Sequence, residues 1–177
     1  MQQNAVDSAA RVSTPIYFPV SKLKLVVMSL CSFGLYEVYW FYQNWKLIRD
    51  QTGRKLSPFW RAVFAPVSAY WFFKSVQESA SRRQIATGIN PGWLAVAYFA
   101  LTAAWRLPDL FWLISFLTFL PLLWVQAVVD DVNWKVAASA ELNARFSWQN
   151  ILIIVIGGIL LILTVIAAFM PEAFIPA

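Results

Sequence analysis

Glu37 is a lone carboxylate in an otherwise apolar stretch that runs from about Leu25 to Trp45. On an unbroken helix, positions 29, 33, 37, 41 and 44 share a face, so Ser29, Glu37 and Asn44 form a polar stripe among aromatic residues. A carboxylate at the centre of a bilayer costs about 2.5–3.5 kcal/mol unless it is paired, protonated or wet. At 1.5 Å per helical residue, Glu37 sits on the order of 12 Å from the Trp45 end, which is buried but not central. Two roles are open to it. One is a proton or cation relay, or a substrate contact, in a polar membrane cavity. The other is a structural ion pair, with Arg61 or Arg106 as partner.

A second group of residues suggests lipid contact. Lys46, Arg49, Arg54, Lys55 and Arg61 lie in one short linker, with Trp45 and Trp60 beside them. Tryptophan at headgroup depth combined with Lys and Arg docks a helix end on anionic lipid. The remaining polar features have blander readings. Arg106 and Asp109 flank Pro108 as a solvated turn with snorkelling charges. Asp130 and Asp131, with Lys135 one turn on, read as a solvated helix rather than a cation site. Cys31 reads as a small packing residue. Gly157-Gly158 permits close approach of two helices.

The chain has no histidine, no Gly-x-Ser-x-Gly, no phosphate loop and no metal-spaced cysteines. Histidine-dependent acid–base chemistry and histidine metal ligation are therefore excluded. The expectation is a protein that is not an enzyme and holds no cofactor or metal.

The elements that would position these residues follow from composition. Sixty per cent of the 177 residues are hydrophobic, 17% are aromatic and ten are tryptophan. A soluble domain of this size cannot hide that much apolar surface, whereas a bilayer absorbs it. Apolar segments run over about 25–45, 59–73, 92–105, 110–129 and 151–170. They predict an all-α polytopic membrane protein with about four to five membrane segments. Tyr39, Trp40, Phe41 and Tyr42 read as an interfacial aromatic belt. Ser57-Pro58 and Asn90-Pro91 read as helix starts, with a capping side chain followed by proline at the first helical position. Residues 1–20 read as a disordered N-terminal tail without a cleavable signal, 21–171 as a single helical membrane domain, and 172–177 as a short C-terminal tail. Within the domain, 130–145 reads as an exposed helix supported by Asp131–Lys135 and Glu141–Arg145 at i,i+4 spacing.

The net charge of +5 is unevenly placed. Residues 1–90 carry eleven Lys/Arg against four acids, and the remainder carries three against five. That asymmetry points to the anionic cytoplasmic leaflet rather than to nucleic acid, because the charges are interleaved with apolar runs. It also creates a conflict. If the first two segments both cross, the basic regions around 1–24, 46–61 and 74–91 must alternate sides. Either five plain spans violate the positive-inside rule weakly, or re-entrant or interfacial early segments, broken near Gly34 and Pro66, remove the conflict and imply a polar cavity. A faint repeat is also present, since Asn44-Trp45-Lys46 recurs as Asn133-Trp134-Lys135.

The run Tyr17-Phe18-Pro19-Val20-Ser21-Lys22, then Gly34-Leu35-Tyr36-Glu37-Val38-Tyr39-Trp40-Phe41-Tyr42, Asn44-Trp45 and Ser57-Pro58-Phe59-Trp60-Arg61-Ala62, resembles an uncharacterised family of small bacterial membrane proteins, a domain of unknown function. The likeness covers roughly residues 17–75. It implies a multi-pass protein of the bacterial inner membrane and brings no activity, cofactor or catalytic residue. The expected function is a non-catalytic integral membrane protein acting through contacts with anionic lipid headgroups, with a membrane-protein partner or with a second copy of itself. The alternative is a small channel or transporter subunit that uses Glu37.

Overall fold

The computed structural model describes residues 14–137 and 142–170. Among them the architecture is all-helical. The α-helices are α1 (Lys22–Cys31), α2 (Leu35–Thr52), α3 (Pro58–Val63), α4 (Ala65–Ser81), α5 (Pro91–Ala103), α6 (Phe119–Val136) and α7 (Trp148–Phe169). Two 3₁₀ segments, Ala104–Arg106 and Asp109–Thr118, link α5 to α6.

Two helical stretches, Asp109–Val136 and Trp148–Phe169, are long and apolar enough to cross a membrane. Helices α1, α4 and α5 have 10, 17 and 13 residues, short of the roughly 20 that a span requires. Length and composition together mark two helical stretches as able to span, while four to five spans are not shown.

The apolar stretch over 25–45 is not one helix. It breaks at Ser32–Gly34, where Phe33 (φ 52°) and Gly34 (φ 82°) both adopt the left-handed conformation. Glycine enters that region without a Cβ clash, which explains why the break falls at Gly34. The second segment likewise divides, at Phe64, and Pro66 sits in the first turn of α4, where its missing N–H costs no hydrogen bond. Helix α4 then continues to Ser81, through much of the polar stretch. Asn90 caps α5 by accepting from the Gly92 and Trp93 amides. Ser57 holds the N-cap position of α3 without a side-chain cap bond.

The core lies between α2, α4, α5 and α6, whose Leu122, Val125, Val129 and Val132 are fully buried. Trp40 packs edge-on against Phe41 and Phe72, with ring centroids 5.1 and 5.2 Å apart, and Phe41 meets Tyr98 at 5.5 Å. Edge-to-face aromatic pairs add about 0.5–1.5 kcal/mol beyond their buried area. Trp40 and Phe41 are thus fully buried core residues, whereas the sequence pattern put them in an interfacial belt. Two residues of that quartet turn inward because α2 is covered by α4 on this face.

The tail anticipated over 1–20 is not free over its last residues. Tyr17 and Val20 are buried, and residues 15–20 form an extended strap across α2 and α6. The strap's only backbone pairing among the described residues is a single parallel bridge between Val20 and Asn143, so side-chain amides satisfy most of the rest of its backbone. Asn133 Oδ1 accepts from the Ile16 and Tyr17 amides, and its Nδ2 donates to the Tyr17 carbonyl. Asn44 Oδ1 accepts from the Phe18 amide. Gln126 donates to the Val20 carbonyl and accepts from Trp40 Nε1. The two Asn-Trp-Lys copies therefore place their asparagines in the same task, on neighbouring stretches of one strap. Their tryptophans differ, since Trp45 is buried and Trp134 is exposed.

The exposed helix anticipated over 130–145 does not form as such. Helix α6 runs on to Val136 and stops at Ala137 (φ −144°). Residues 142–146 are non-helical, and the Asn143 amide donates to the Pro19 carbonyl of the strap. Lys135 donates to the Arg83 carbonyl instead of pairing with Asp131. Residues 1–13, 138–141 and 171–177, which include Glu141 and the expected C-terminal tail, lie outside the described residues.

Candidate functional site

The long 3₁₀ segment gives one wall of a cavity. With three residues per turn, side chains at i and i+3 eclipse, so Trp112, Ser115 and Thr118 all face the same space. Ser29 and Phe33 of the α1 end, Glu37 of α2, Pro66 of α4, and Tyr98 and Thr102 of α5 close the other sides of this 460 Å³ cavity. The break at Gly34 is what lets residues from α1 and α2 line one space.

Glu37 is 3% exposed, and its Oε1 accepts a 2.7 Å hydrogen bond from the Thr118 hydroxyl. The Tyr98 and Ser29 hydroxyls face the same carboxyl, although Ser29 Oγ makes no well-formed hydrogen bond. A buried hydroxyl left unpaired in this way costs about 1–3 kcal/mol.

Neither arginine considered as a partner reaches this carboxyl. Among the described residues the ion pairs are Lys22–Asp130, Arg49–Asp50 and Arg82–Glu78. The Arg61 guanidinium lies 4.5 Å from the Trp45 ring centroid, and that of Arg106 lies 5.2 Å from the Trp105 ring. Stacking on an indole face holds each cation away from Glu37. Asn44 is also elsewhere, spent on the strap. Of the polar set read from the sequence, Ser29 and Glu37 meet, while Asn44, Arg61 and Arg106 do not join them. Tyr98, Thr102 and Thr118 were missed. They lie more than 60 residues away in the chain, and a lone hydroxyl in an apolar run carries little signal.

The basic linker divides as well. Lys46, Arg54 and Lys55 are exposed, and so are Phe59, Trp60 and Phe64, a few residues further along the chain. Arg49 is held by Asp50 at 2.9 Å. Trp45, read as a headgroup contact, is 3% exposed and lies beneath Arg61. It is a core residue, because α3 folds back over α2 and covers it.

A second cavity lies across the break. Helix α7 packs mainly on α1, and Gly157 is its single buried residue. A Cβ at Gly157 would collide with the Cys31 carbonyl, so glycine is what allows the two backbones to meet. Cys31 takes part in that packing, consistent with a small interhelical residue. A groove of about 780 Å³ opens beside the crossing, between α1, the start of α2 and α7. At its polar end the Lys24 ammonium donates to Asn143 Oδ1 at 2.8 Å and to the Arg145 carbonyl at 2.7 Å. Loss of hydration around it lowers the Lys24 pKa from its usual value.

No family model matches the chain, and neither do any curated protein or solved structure.

Proposed function

We propose that this chain is a non-catalytic, multi-pass protein of a bacterial inner membrane that works through contact with lipid. The observation that carries the reading is the outward display of Phe59, Trp60 and Phe64 in the same stretch of chain as the exposed Arg54 and Lys55. Aromatic rings at headgroup depth and cations over an anionic leaflet act together, each Lys or Arg contributing about 1 kcal/mol near the surface. The test compares thermal stability in nanodiscs of neutral phosphocholine lipid with and without an anionic phosphoglycerol lipid. The anionic lipid should raise Tm, the gain should shrink at high salt, and the combined Lys46→Glu, Arg54→Glu and Lys55→Glu variant should abolish it. A gain that persists in that variant would refute the linker as the contact.

A second reading draws on the hydroxyl-lined Glu37, which has no cation beside it among the described residues. A carboxyl so placed suits a proton or a small monovalent cation. Under this reading, vesicles containing the protein show proton or sodium flux that Glu37→Gln removes. Flux absent from the wild type, or unchanged by Glu37→Gln, excludes it.

A further inference from the structure

We propose that the groove between α1 and α7 is a built site for one anionic phospholipid, with the phosphate at the Lys24–Arg145 end and an acyl chain laid along α7. This rests on the membrane reading above but concerns a different surface from the basic linker. Three observations support it. First, the groove is amphipathic in order. Lys24, Asn143, Arg145 and Asn150 gather at one end, and Leu152, Ile153, Ile156 and Leu160 continue along the other. From Asn150 to Leu160 the wall is on the order of 15 Å long at 1.5 Å per residue, enough for much of one acyl chain. No acidic side chain lines it among the described residues.

Second, the charge at the polar end is uncompensated there. Lys24 is 4% exposed, and its ammonium is held by neutral oxygens, those of Asn143 and Arg145. With its amide turned to accept, Asn150 stands 2.9 Å from the same ammonium. A buried cation held only by neutral oxygens favours an anion within reach. Arg145 is exposed at the same end, and the first turn of α7, capped by Ser147, adds the positive end of a helix dipole. Third, Tyr36 lines the groove and is 7% exposed, and its buried hydroxyl has no partner. It is a spare donor in the wall. A phosphodiester on an apolar chain answers the first two features, and on the membrane reading a lipid enters sideways from the bilayer along α7.

The experiment is native mass spectrometry of the full chain, released from nanodiscs of phosphocholine lipid doped with phosphoglycerol lipid. The expected result is one retained lipid per chain, of the anionic class. Arg145→Gln should lower its retention about tenfold, the equivalent of one charged hydrogen bond, while Arg145→Lys keeps most of it. Because a Lys24 variant risks unfolding the chain, Ile156→Trp provides the independent arm. It fills the apolar wall and should displace the lipid with the charges intact. The Lys46, Arg54 and Lys55 reversal should leave the retained lipid in place, which separates this site from the linker. Equal retention of neutral and anionic lipid overturns the proposal, as does insensitivity to both Arg145→Gln and Ile156→Trp. A Tm gain from inorganic phosphate without lipid retention overturns it too.

Discussion

Two cavities flank the Ser32–Gly34 break, and Phe33 and Leu35 border both. One is built around a buried carboxyl, the other around a buried ammonium. Glu37 is reached by hydroxyls from helices distant in the chain. Lys24 is held by the short non-helical piece, Asn143 to Arg145, that leads into α7. The contrast shows how one backbone break serves two environments. The turn at Gly34 directs Ser29 and Glu37 to one side and leaves Lys24, Met28 and Tyr36 on the other. The Glu37 carboxyl and the Lys24 ammonium remain apart, each held by neutral groups on its own side of the break.

The largest effect should fall on the ammonium side alone. Gly157→Leu forces α7 off the Cys31 carbonyl and opens the groove while sparing the Glu37 cavity. Cys31 Sγ lies 4.0 Å from where a Gly158 Cβ would stand, so Gly158→Cys should form a disulfide with Cys31. Adding Gly157→Leu should abolish that cross-link, as read by non-reducing electrophoresis. A cross-link that survives would show that leucine at this position does not separate the helices, and failure of Gly158→Cys alone to cross-link would show that they do not meet there.

Next comes the strap, which is tied to the groove through the Asn143–Pro19 bond. Asn133→Ala removes three hydrogen bonds and leaves buried backbone groups unpaired, at about 1–3 kcal/mol for each group left unmet. Asn44→Ala removes one strap bond and should cost less. Limited proteolysis ahead of Lys22, together with Tm, would rank the two, and the reverse order would refute the clamp.

The shared break is the third target. Gly34→Val puts a β-branched residue at φ 82°, costing about 1–2 kcal/mol of backbone strain, although the space around the missing Cβ is open. Both cavities should respond together. If only one does, they are not coupled through the turn.

The smaller effects sharpen the carboxyl side. Thr118→Val removes the hydrogen bond to Glu37 and should lower stability by about 1–2 kcal/mol, visible as a Tm shift that Thr118→Ser largely restores. Glu37→Gln keeps the shape and an acceptor for Thr118, so its effect on stability should be smallest, within about 1 kcal/mol. A larger loss would mean that the charge itself holds the cavity together.

Much of the element layout was legible in the sequence. Ser57-Pro58 and Asn90-Pro91 both became helix starts, although only Asn90 makes the side-chain cap bond, and α7 stands out by length. The breaks near Gly34 and Pro66 were also readable, since both residues disfavour a continuous helix for local reasons. The Glu37 environment was only half readable. Ser29 lies two turns away and shares its cavity, but Thr118 and Tyr98 arrive by tertiary packing. Of the groove residues, Cys31 and Gly157 were readable as packing positions, but the polar end was not, because Lys24 resembles any lysine ahead of an apolar run until Asn143 closes over it.

Local sequence alone determined that the chain is helical and apolar, that helices start at Pro58 and Pro91, that Gly34 favours a break, and that Gly157 could admit a neighbour. These outcomes depend on backbone sterics and hydrogen bonding within a few residues. Only the tertiary structure decided which helix met Gly157, that Trp40, Phe41 and Trp45 face inward, that both repeat asparagines grip one strap, and that Arg61 and Arg106 stack on indoles instead of reaching Glu37. Each of these depends on surfaces brought together from distant parts of the chain, where burial and geometry, rather than residue type, select the partner.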